Sequence, residues 1–487
     1  FGPIFSRNFR AGVVSMTPRQ QMLRMISHGS DLGEGQGTFL SSVINLSAAS
    51  MGCSILALPR VFAVCGMRWS LVFLVTFSLW VELSLRWLVA CGRFSGGCGF
   101  KENAQYFLGR RAAKLVHFCQ VLLLCGGIVM IFVTASSLLG CSARELLASL
   151  CTEEDGPPAL SGTLATLCRA HPAPCMSPQR VLTLIVLVVL PLACQKSLHS
   201  LTGVSMLSFV CLAYFFIVLL LRLAHRAFTA PALSMDLMEM SQQELPPFWQ
   251  GPPVLLMSFL CHTTVLQLDS ELCLEAKAKV SRVIRVVIFG MALPCYAVVG
   301  AGGLWLFGGR VSANVLQDFT NDPWMAAARL TLGLMNVAKL ATAVITLREA
   351  LVSLAPSSRA RKRLRSFEGR LLMGSVALVL GALAAYAIPS LTAVLSLLGC
   401  TVGVLFSLCL PAALYAMLLR RVSRTRGYKR DLEAPLLAPQ RETGPPPVSL
   451  PSSDVEWTLQ WLLCAAVFTG GLFVGGLGLM SWVRDPC

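Results

Sequence analysis

Apolar residues in this chain collect into eleven blocks, at about 39–66, 69–91, 114–140, 180–195, 201–223, 252–272, 284–308, 325–354, 370–388, 391–419 and 457–482. Most exceed the roughly 18 residues that mark a membrane span, and the fourth is the shortest. In lipid the backbone must satisfy its own polar groups, so blocks of this length predict helices. The pattern predicts an all-α polytopic membrane protein with eleven transmembrane helices. Residues 1–37 are polar and lack the apolar core of a signal peptide; with Arg7, Arg10, Arg19 and Arg24 they read as a flexible cytoplasmic tail. A helical core is expected over 38–419 and a basic, then Pro-rich cytoplasmic linker over 420–455. The last helix and a non-cytoplasmic C-terminus fill 456–487.

Charge sets the orientation. Only 13% of the 487 residues are charged, about half the share of a soluble chain. Cations crowd into alternate loops: Arg93, Lys101, Arg110, Arg111 and Lys114, then Lys196, then Lys277, Lys279 and Arg282. The series continues with Arg359 to Arg365 and ends with Arg420 to Arg430. The intervening loops carry Glu153, Glu154, Asp155, Asp236, Glu239, Asp318 and Asp322. The positive-inside rule then places the N-terminus in the cytoplasm. The formal charge of +16 is thus explained by topology, and no nucleic-acid partner is expected. Most of the nineteen Cys lie inside apolar blocks, where Cys behaves as a small hydrophobe. Cys151, Cys168 and Cys175 share one non-cytoplasmic loop, where a single disulfide (Cys151–Cys168 or Cys168–Cys175) and three free thiols are both open.

The first block departs from an ordinary span. Its middle reads Asn45-Leu-Ser-Ala-Ala-Ser50-Met-Gly52-Cys-Ser-Ile-Leu-Ala-Leu-Pro59, small polar residues at mid-depth followed by proline. Two readings stand: a simple kink, or a broken helix whose bare peptide groups hold a solute. The stretch resembles the first helix of the amino acid/auxin permease family. Three later stretches resemble family motifs in the same order: Leu266-Gln-Leu-Asp-Ser-Glu-Leu272, Gly300-Ala-Gly-Gly-Leu-Trp-Leu-Phe-Gly308 and Ile388-Pro-Ser-Leu-Thr-Ala-Val-Leu-Ser-Leu-Leu-Gly399-Cys-Thr401. Cys53, Ser54 and Gln267 depart from the usual residues.

The resemblance implies a LeuT-type fold of two inverted five-helix repeats plus one extra helix, and carriage of amino acids across the bilayer. It implies that Ser50, Met51, Gly52, Cys53, Ser54 and Ile55 hold the substrate carboxylate. Cys261, His262, Thr263 and Thr264 would flank a second break, in helix 6. Thr134, Ser136, Ser137 and Ser396 are further pocket candidates. Sodium-coupled relatives use a side-chain oxygen in helix 1, where this chain has Ala48; near the partner position in helix 8 stand Asn336, Lys339 and Thr342. An ammonium at membrane depth is costly, so Lys339 is either a stand-in for sodium or a snorkelling surface residue. A proton is therefore favoured over sodium as the coupling ion.

Glu82 and Arg86 share a helix face at i, i+4, as a structural ion pair or with Glu82 as a proton carrier. Arg348-Glu349 is expected in an inner gate or among the topology charges. No nucleotide loop, zincin motif or paired zinc ligands suggest an enzyme or a cofactor. The expected partners are a neutral amino acid, a coupling ion and the bilayer, with a monomer sufficient. A plasma or a vacuolar/lysosomal membrane fits equally. The rival is an amino acid sensor of the same fold, signalling through its tails.

Overall fold

The computed structural model describes residues 38–151, 177–195, 203–229, 247–272, 277–320, 322–355, 357–430 and 454–484. Among them every regular element is helical and no β-strand occurs. The first block breaks into α1 (Phe39–Ser50) and α2 (Leu58–Cys65). There follow α3 (Met67–Ser95), the short α4 (Phe100–Leu108), α5 (Arg110–Cys151), α6 (Pro178–Ala193) and α7 (Gly203–Thr229). The sixth block is split into α8 (Gly251–Ser258) and α9 (His262–Glu271). The seventh comprises α10 (Val280–Arg285), a π-helical stretch at Val286–Ala292 and α11 (Leu293–Phe307). Then come α12 (Pro323–Leu354), α13 (Ser358–Leu364), α14 (Phe367–Ala387), α15 (Leu391–Leu398), α16 (Leu410–Arg430) and α17 (Asp454–Arg484).

Nine helices among the described residues are long and apolar enough to cross a membrane, and the bent pair Phe39–Ser50 with Cys53–Cys65 makes a tenth. The fourth block forms only a shorter apolar helix, Gln179–Ala193. Its rise of about 24 Å falls short of the ~30 Å hydrocarbon core. The helix of block three begins earlier than expected and runs on to Cys151, and that of block ten continues to Arg430. The second extension is held from outside. The Arg421 guanidinium lies 4.6 Å from the Tyr106 ring centroid and donates to the Tyr106 carbonyl at 2.8 Å, docking α4 against α16.

Two groups of helices emerge from the packing. The broken pairs α1–α2 and α8–α9 pack with α3 and α11, while α5, α6, α12 and α14 pack with one another; α5 on α12 is the most extensive pairing. The link is α7, which touches α12, α1 and α11. Glycines set the closeness of the first group. A Cβ at Gly300 would overlap the Phe62 ring and one at Gly303 would overlap Pro59, so α11 lies directly against α2. In the second group, Arg348, expected in an inner gate or among the topology charges, is buried and bonded to backbone. Its Nη1 and Nη2 donate to the carbonyls of Ala193 and Gln195 at 2.7 and 2.9 Å, and Arg370 Nε donates to that of Cys194 at 3.0 Å. Two guanidinium groups thus complement the negative C-terminal end of α6.

Candidate functional site

Both breaks sit in the first group. In the first, α1 ends at Ser50, Met51 and Gly52 leave the helix, and a tight turn of helix at Cys53–Ala57 restarts the chain. The two halves are bent by 46°. The Ser50 hydroxyl turns back to the Ser47 carbonyl at 3.2 Å, and Met51 N–H donates to the same carbonyl at 2.8 Å. The N–H groups of Cys53 and Ser54 make no backbone hydrogen bond among the described residues. In the second break, Phe259, Leu260 and Cys261 lie outside the helices, and His262, Thr263 and Thr264 open α9. This break falls slightly earlier than the sequence suggested. There too the N–H groups of Cys261, His262 and Thr263 have no backbone acceptor among the described residues. A bare half-helix N-terminus carries partial positive charge and suits a carboxylate.

One side chain that the sequence reading missed joins the breaks. The Tyr296 hydroxyl, from α11, lies 2.8 Å from the Ser50 carbonyl and 2.6 Å from the Ser258 carbonyl. Its single proton serves one of these oxygens at a time. The residue is fully buried. The available signal was a hydroxyl-bearing residue in an otherwise apolar, glycine-rich helix.

His262, also fully buried, fixes the start of α9 against α3: its Nε2 is 2.8 Å from the Ser84 hydroxyl. That hydroxyl also lies 2.9 Å from the Val81 carbonyl, and the histidine tautomer sets which of the two groups donates to the other. Its Nδ1 has no hydrogen-bond partner among the described residues. His262 therefore ties the start of α9 to α3 through a side chain.

The expected cation position lies beside the first break. The Cys53 thiol donates to Asn336 Oδ1 at 3.0 Å, tying the break to α12. Lys339, one turn along, is half-buried and within electrostatic reach of the thiols of Cys53 and, from α7, Cys211. No hydrogen bond or ion pair to its ammonium occurs among the described residues. Lys339 thus faces the interior between α1, α7 and α12, not the lipid. The Thr342 hydroxyl is spent on the Lys339 carbonyl at 2.7 Å, and Ala48 is buried and offers no oxygen.

Thr134, Ser136 and Ser137 hydroxyls donate along their own helix; Thr134 also faces Cys53, and Ser137 accepts from Asn314 at 3.0 Å. Glu82 pairs with Arg86 at 3.3 Å, the simpler of its two readings. Cys168 and Cys175 lie outside the described residues, and with them the question of a disulfide.

On the face carrying Asp318 and Asp322, a loop packs against the first break. The turn Val315–Gln317 reaches down to the Cys53–Ala57 helix, with Val315 and Leu316 buried, and Arg60 Nη1 donates to the Val311 carbonyl at 3.2 Å. Asp318 ties the loop through the backbone and hydroxyl of Ser312. Burial pushes the Asp318 carboxyl above its ordinary value, against the pull of Ser312 and Arg60. Beneath lies a cavity of about 20 Å³ bordered by Arg60, Gln250, Thr392 and Ser396, room for about one water. The buried Ser396 hydroxyl has no partner among the described residues.

Two interrupted helices packed side by side, with amides that lack backbone acceptors among the described residues and a lysine facing the interior, are features found in membrane carriers built around broken helices. Comparison with known proteins agrees. Residues 35–431 match the family described as transmembrane amino acid transporter protein, and the chain belongs to that family. Among similar proteins of Arabidopsis thaliana, amino acid transporter AVT6E is 25% identical over 301 residues, covering 61% of this chain and 57% of the relative. Amino acid transporter AVT6A is 22% identical over 303 residues, covering 61% of this chain and 62% of the relative. The match thus spans about three fifths of each relative's length.

Proposed function

We propose that this chain is a secondary active transporter that moves amino acids, neutral ones by preference, across a membrane by alternating access. The observation that carries the reading is the pair of breaks joined by Tyr296, each offering bare N–H groups beside carbonyl ends of opposite polarity. A zwitterion needs both signs within a few ångströms, and two broken helices supply them without a charged side chain. Residues 50–55 bind the carboxylate and the carbonyls around the breaks bind the ammonium, with Cys261 to Thr264 bordering the second side.

A LeuT-type arrangement follows, helices 1–5 and 6–10 as inverted repeats with an eleventh helix appended. Its support is the grouping itself. Shifting each helix by five positions carries the first group (1, 2, 6 and 7) onto itself, and the second (3, 4, 8 and 9) likewise. Eleven crossings require the short α6 to span, with local thinning of the bilayer or shielding by α12 and α14. In this reading the N-terminus is cytoplasmic and the C-terminus lies across a plasma or vacuolar/lysosomal membrane, supported by the alternation of basic and acidic loops.

Lys339 stands where a sodium ion would sit, so coupling is to protons or absent. The test is uptake of radiolabelled amino acids into proteoliposomes at two pH values, with and without sodium. We expect undiminished uptake in sodium-free buffer, and in Lys339→Ala a loss of its dependence on the pH gradient. Strict sodium dependence would contradict the assignment of Lys339. Saturable binding with no flux or exchange would contradict transport.

A further inference from the structure

The turn between α12 and α14 holds two kinds of cation. Arg348 and Arg370 bind the backbone end of α6, and Arg365 pairs with Glu349 at 3.4 Å. Arg359, Arg361, Lys362 and Arg363 do none of this. All four are exposed on α13, and no hydrogen bond or ion pair to their side-chain cations occurs among the described residues. The sign of these charges suffices for topology, but topology does not ask that they be held in a helix. Here they are. The Ser357 hydroxyl caps α13 by accepting from Ala360 N–H at 3.1 Å, and that of Ser366 caps α14 by accepting from Gly369 N–H at 3.2 Å.

Positions 359, 362 and 363 follow i, i+3, i+4 spacing, so three cations share one face. The turn is also confined. It is flanked by the exposed apolar Leu354 and Phe367 at the ends of two membrane-crossing helices. A helix of seven residues is about 10 Å long, comparable with the ~5–8 Å headgroup layer on each side of a bilayer. These side chains therefore lie among lipid headgroups whatever solute the protein carries.

We propose that the Arg359/Lys362/Arg363 face of α13 is a binding site for anionic phospholipids of the adjoining leaflet, best matched by a headgroup bearing more than one phosphate. Clustered cations immediately beside a membrane helix gain roughly a factor of five each from such lipids. The full chain, purified in neutral detergent, would be titrated with dioctanoyl phosphatidylinositol bisphosphate and, in parallel, dioctanoyl phosphatidylcholine, with bound lipid counted by native mass spectrometry. We expect binding of the first and not the second, weakened about 100-fold in R359Q/K362Q/R363Q, retained in R359K/R363K and weakened by ~0.5 M salt. Equal affinity of wild type and the triple variant would overturn the site. So would equal binding of the two lipids to wild type, a result that needs no variant to fold.

Discussion

The two helix breaks do the same job by different means. The first has local causes beside its distant ties to Tyr296 and Asn336: Ser50 folds back on the Ser47 carbonyl, Met51 donates to the same oxygen, and Pro59 stands just inside α2. The second contains neither glycine nor proline at Phe259, Leu260 and Cys261. It is opened by partners far along the chain, with Tyr296 holding the Ser258 carbonyl and Ser84 holding His262. A break encoded nearby survives changes to its surroundings, whereas a break imposed from outside depends on them.

That difference orders the consequences of mutation. Tyr296→Phe removes the proton shared by Ser50 and Ser258 and leaves buried carbonyls without it, at about 2–3 kcal/mol. We expect a lower melting temperature of the purified protein and loss of uptake, with the second break re-closing further than the first. Ser84→Ala strands the buried His262 Nε2 and costs about 1–2 kcal/mol. Adding His262→Leu should then cost less than the two single changes together, because the nitrogen left stranded is gone; strict additivity of melting shifts would separate the two residues. Gly52→Ala is the smallest. Gly52 has φ −90° and open space where a Cβ would stand, so the change should shift stability by less than about 0.5 kcal/mol. A large loss there would show that the first break also rests on backbone freedom.

The same contrast explains what could be read from the sequence. Apolar blocks and the Ser-Gly-Pro pattern of the first span are local signals; nine of the blocks have their counterpart in a membrane-length helix and the pattern has its counterpart in a break. The position of the second break rested on resemblance alone, because its cause lies in α3 and α11. Tyr296 escaped notice for that reason: nothing in its own helix marks it as the partner of two carbonyls. The backbone partners of Arg348 could not be read from its neighbours, because Ala193 and Gln195 are distant in the chain. Lys339 was conspicuous, since an ammonium in an apolar block stands out without any knowledge of its neighbours.

The central claim is that unpaired amides at both breaks grip the solute. Hydrogen–deuterium exchange of the protein in nanodiscs, with and without a saturating neutral amino acid that it transports, tests this at the peptide level. We expect slowed exchange in peptides covering 50–57 and 258–264 together, and little change in those of α14 or α17. Unchanged exchange at both breaks under saturating amino acid would contradict it.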